Sequence, residues 1–200
     1  MKLPYVVQIP LFAAALHGCA AALVPETGDP RTKLIQAREM RRVTRPIAEE
    51  KLIREAIELS QQQNDLVRLG EAQHMYAEFL RSPGFNNQFF SEQRVKLAGG
   101  AGIETEARRY LQQAEKSYSS AEPVMQAKGD LFAQSNLWWR LSTVYWALGE
   151  MARTCEAMSK SLDLHQNGQQ LDPSRKVQLP SGYKSYGDWI ASNRTRAGCR

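Results

Sequence analysis

The sequence predicts an all-α protein: a stack of about three antiparallel helical hairpins, with an irregular insertion in the second. Three observations carry this. Between Asp130 and Leu148 the large residues Leu137/Trp138, Leu141, Val144/Tyr145 and Leu148 recur at three- and four-residue steps, so they share one helix face. After Gly149 the rhythm resumes with Met151, Thr154/Cys155, Met158 and Ser161/Leu162, a narrower stripe whose small residues let another helix approach closely. The pattern also returns upstream. A shift of 65 places Asn64-Asp65 on Gly129-Asp130, Tyr76-Ala77 on Leu141-Ser142, Leu80 on Tyr145 and Gly84 on Gly149. Ala114, Tyr118 and Ala121 precede Thr154, Met158 and Ser161 by 40 residues each.

Residues 1–18 combine Lys2 with an apolar stretch too short to span a bilayer and then small residues, the form of an export signal. Leu16-His17-Gly18-Cys19 is similar to the bacterial lipobox. That resemblance implies cleavage before Cys19 and attachment of lipid, palmitate among its acyl chains, to that cysteine. With Ala20 rather than aspartate following, it implies anchoring in the outer membrane with the domain facing the periplasm. An ordinary signal peptide cut near Ala22, leaving a soluble product, is the other reading. Residues 19–30, with Pro25, Gly28, Asp29 and Pro30, lack periodicity and read as a tether.

The helical domain is expected over 31–168. Leu34/Ile35, Ala37/Arg38, Met40/Arg41 and Val43/Thr44 form a first helix that Arg45-Pro46 breaks. Leu52/Ile53, Ala56/Ile57 and Leu59/Ser60 form a second, which ends in the polar run from Gln61 to Asn64. Leu66 to Arg81 is a third helix. Residues 82–102, with Asn86-Asn87, Phe89-Phe90 and Gly99-Gly100-Ala101-Gly102, show no repeat pattern and read as an insertion with at most one short helix. Ile103 to Gln126 is helical again, and Pro123 predicts a kink or an end near Ala121. Residues 169–200 are rich in proline, glycine and serine and finish with Tyr183, Tyr186, Trp189 and Ile190 in a short helix. These aromatics are expected to cap the last hairpin; a binding tail is the alternative.

Trp138, Leu141-Ser142, Tyr145 and Gly149, followed by Thr154, Met158 and Ser161-Leu162, resemble the tetratricopeptide repeat. Ser142 stands where that family has glycine, Thr154 and Ser161 where it has alanine, and no proline closes the repeat near Gln166. A helical bundle of another kind is the competing architecture. The resemblance implies that neighbouring hairpins stack. It also implies a concave groove, lined by the first helix of each hairpin, that binds an extended peptide or a partner's helix. The groove positions it assigns are Glu71, His74, Met75, Glu78 and Arg81 in the second hairpin, and Asn136, Trp139, Arg140, Thr143 and Trp146 in the third. Trp139 and Trp146 lie seven apart on one face with Arg140 between them, the composition of an interaction hot spot, while Trp138 turns toward the core. The same face would be buried if the insertion or the C-terminal aromatics folded over it.

Composition narrows the function. The net charge is +5, and the basic residues are scattered among acids, which argues against a nucleic-acid stripe. Arg38, Arg41, Arg42 and Arg45 read as a solvated helix face, with contact to lipid headgroups as the sharper alternative. Glu71, His74 and Glu78 share a face that would carry a metal-dependent enzyme, but the same spacing is ordinary helix ion pairing. His165, near a helix end, reads as a charge favourable to the dipole. There is no glycine-rich phosphate loop and no nucleophile elbow, so no enzyme, cofactor or metal is expected. Cys155 and Cys199 could pair in an oxidising compartment; a buried free thiol at Cys155 is the other reading. The function that fits is a lipid-anchored periplasmic adaptor or scaffold of an envelope or secretion assembly, binding another envelope protein. The alternative is an immunity lipoprotein that neutralises a periplasmic toxin.

Overall fold

The computed structural model describes residues 25–100 and 102–199, so the export signal and Cys19 lie outside the described residues. Those residues form eight α-helices, one 3-10 turn and no strand. The helices are α1 (Pro30–Arg42), α2 (Pro46–Gln62), α3 (Leu66–Leu80), α4 (Ser91–Ala98), α5 (Ile103–Ala127), α6 (Leu131–Leu148), α7 (Met151–Leu171) and α8 (Tyr186–Arg196). The 3-10 turn is Gln88–Phe90. No helix among the described residues is long and apolar enough to cross a membrane.

The helix starts follow from local chemistry. Asp29, Asp65 and Asp130 accept hydrogen bonds from the first free amides of α1, α3 and α6, which would otherwise have no partner. The 65-residue shift is realised here, since α3 begins at Leu66 and α6 at Leu131. It fails at the other end. Gly149 has φ 83° and stops α6 in the left-handed conformation that glycine tolerates. By contrast α3 has already ended at Leu80, with Arg81 as its cap, so Gly84 closes no helix. Gly84 serves a close approach instead: a Cβ there would sit 3.3 Å from the Cβ of Pro46.

Pro123 neither ends α5 nor stands alone at its edge; the helix runs on to Ala127. Pro123 is exposed, and so is Ser119, whose carbonyl loses its amide partner to water rather than to a dry core. Met151 is also a correction to the expected stripe, being 39% exposed. The face that α7 buries runs through Thr154, Ala157/Met158, Ser161, His165 and Gly168. The helix therefore continues past Asn167-Gly168 to Leu171.

Helices pack in sequential pairs: α1 on α2, α3 on α5, and α6 on α7. Contacts of α2 with α3 and of α5 with α6 join the pairs, and α8 packs on α7. The main core, including Ile53, Tyr76, Phe79, Leu111, Tyr118 and Leu141, is continuous through all three pairs. Gly70 allows the closest approach, because a Cβ there would meet the Tyr118 ring at 2.8 Å. Insertion residues Phe85 and Phe90 pack on Phe79, with ring centroids 5.8 and 5.4 Å away, which ties the insertion to α3. A second, smaller core of Met158, Tyr186 and Ile190 lies under α8.

Candidate groove across the first helices

Three stripes face a common space. Arg38 and Arg41 come from α1; Glu71, His74, Met75 and Glu78 from α3; Asn136, Trp139, Arg140 and Thr143 from α6. In α3 and α6 these positions follow the same three- and four-residue steps, so each set is one helix face. With Arg68 and Tyr118 they line a cavity of about 710 Å³, within the ordinary range of ligand-sized clefts.

Eight of the ten residues assigned to the groove from sequence share this cavity, and Arg81 and Trp146 do not. Arg81 instead reaches Glu104 of α5 at 3.0 Å and the carbonyl of Ala147 at 3.2 Å, bracing the second pair against the third. Trp146 packs with the small core under α8, and the Arg196 guanidinium lies 5.8 Å from its ring centroid. Trp139 is shared: it borders the cavity, but its ring lies 4.1 Å from that of Trp189 in α8. The tryptophans thus form no open pair, because the C-terminal helix covers them. Asn136 is the exposed member of the α6 stripe.

The electrostatic centre is Glu71. Its side chain is 8% exposed, and it receives Arg38 and Arg68 at 2.6 Å each and Arg140 at 3.1 Å. Burial alone would raise its pKa, but the charge of Arg140 and the hydrogen bonds from Arg38 and Arg68 outweigh it and hold the carboxyl down at about 2. Beside it, Arg41 bridges the buried Glu49 at 2.6 Å and Glu78 at 3.1 Å. Burial pushes the Glu49 carboxyl up, against the pull of Arg41. His74 stands 3.8 Å from Glu78, and burial lowers its pKa against the pull of that carboxylate. Four arginines and two glutamates line the cavity, which leaves it cationic.

Arg38 and Arg41 are exposed, as a solvated face has them, and they are also ion-paired across the groove. No local signal marked that pairing, which depends on how α1 stacks against α3. Glu71, His74 and Glu78 do share a face, but the Glu71 oxygens are taken by three guanidinium groups. No cluster of three or more metal-ligating side chains occurs among the described residues.

The third pair holds one further correction and settles one open choice. His165 does not sit exposed at a helix end: it is 9% exposed inside α7, stacked on Tyr186 at 4.0 Å and edge-on to Phe132 at 5.4 Å, and burial lowers its pKa. Cys155 is not a free thiol. It is joined to Cys199, with the Cα atoms 5.5 Å apart, which fastens the end of the chain to α7 just beyond α8.

These features define an all-helical protein with a cationic interhelical groove. No known family, no curated protein and no solved structure matches the chain.

Proposed function

We propose that the chain is an adaptor of the tetratricopeptide-repeat type that binds another envelope protein along this groove, held by lipid on Cys19 at the periplasmic face of the outer membrane. The observation that carries the reading is the cavity shared by α1, α3 and α6, the first helix of each pair. Its excess of guanidinium groups suits an extended, acidic segment of the partner, because arginine makes paired hydrogen bonds to carboxylates. The Cys155–Cys199 bond is in keeping with an oxidising compartment. Anchoring would raise the local concentration of both partners, so a modest groove affinity would suffice.

The test changes the exposed groove residue Asn136, leaving the covered tryptophans alone. Asn136→Glu puts a negative charge in the cavity, and Asn136→Ala only trims a side chain. An envelope partner recovered with the wild-type and alanine forms and lost with the glutamate form, at equal helicity, supports the proposal. Equal recovery with all three contradicts it.

A further inference from the structure

A second cavity, of about 720 Å³, lies between α7 and the segment that leads back to α8. Its chemistry differs from that of the groove. Arg175, Lys176 and Lys184 line it, and no carboxylate does. Arg175 is held by Asp130 at 3.2 Å, whereas Lys176 and Lys184 form no ion pair with a described residue. The cavity also contains the start of α8, where the amides of Tyr186 and Gly187 precede the first helical hydrogen bond and point their positive ends outward.

His165 supplies the independent observation. It is 91% buried by its 9% exposure, borders this cavity, and makes no hydrogen bond to a described residue. Tyr186 stacks on one face of its ring and Phe132 meets it edge-to-face, which holds the ring in place at the border of the cavity. Its nitrogens are not sealed from solvent, so water at that edge can give way to a ligand oxygen. Leu162, Val177 and Leu179 give the same cavity an apolar wall.

We infer that this cavity is a binding site for a phosphate group. Two ammonium groups, two helix-start amides and an imidazole N–H converge as donors, which suits a tetrahedral oxyanion with several oxygens better than a single carboxylate. The phosphate could come from a phospholipid headgroup or from a free phosphate; the donors are the same. The site is separate from the groove and does not depend on the adaptor reading.

The test titrates the full chain with inorganic phosphate and with dihexanoyl phosphatidic acid, following heat and the His165 ring-nitrogen resonances. Lys176→Ala/Lys184→Ala is the comparison; both lysines are exposed, so the fold is unaffected. Saturable binding that shifts the His165 signals and weakens roughly tenfold or more in the variant, as expected for two lost charge-assisted contacts, supports the site. Tighter binding of the phosphatidic acid assigns a lipid source, and equal binding assigns free phosphate. Absence of saturable binding for both probes, or equal binding by the variant, overturns the proposal.

Discussion

Glu71 of α3 and Arg140 of α6 meet at 3.1 Å, and this ion pair links the second and third helix pairs directly across the groove. Arg38 of α1 joins the same carboxylate at 2.6 Å, so one buried side chain holds all three first helices in register. The groove is thus part of what stabilises the stack as well as its charged surface.

The pH dependence of stability follows from that carboxylate. Its pKa falls from 4.5 in the unfolded chain to about 2 in the fold, so its contribution is present above pH 4.5 and is lost as pH drops toward 2. The size is up to about 3 kcal/mol, at 1.36 kcal/mol per unit. Thermal denaturation of wild type and Glu71→Gln across this range should show the gap between them closing on acidification. A gap that is constant with pH would contradict the pairing.

Gly70→Ala should destabilise the protein by about 1–3 kcal/mol, because the new methyl would overlap the Tyr118 ring, where a Cβ lies 2.8 Å away. Gly100→Ala, with its nearest neighbour at 3.6 Å, should change stability by less than about 0.5 kcal/mol. Urea unfolding of the two variants separates these outcomes.

Cys155→Ser should cost about 4 kcal/mol by the loop-entropy relation for a separation of 44 residues. The loss should fall first on α8. Trp189 would leave Trp139, so tryptophan fluorescence and protease cleavage after residue 172 should change before the helical signal does.

Much of this fold could be read from local sequence. Asp65 and Asp130 cap helices because a short carboxylate before an apolar stripe satisfies free amides, a rule that needs only neighbours. Gly84 misled because a glycine can mark a helix end or a close approach, and only the position of Pro46 distinguishes them. The groove stripes on α3 and α6 came from the resemblance to the tetratricopeptide repeat, and eight of those ten residues border one cavity. The pairing of Arg38 with Glu71 was not legible, since it joins residues 33 apart and depends on how the first two pairs stack. His165 failed for a related reason: α7 continues beyond it, and Tyr186 arrives from the far end of the chain to bury it.

The most direct test of the groove is site-specific photo-crosslinking in the native envelope, with a benzophenone side chain at Asn136 and, separately, at Glu156 on the exposed face of α7. The proposed function predicts one dominant protein adduct from position 136 and none from position 156. Adducts from position 156 with none from position 136 would contradict it.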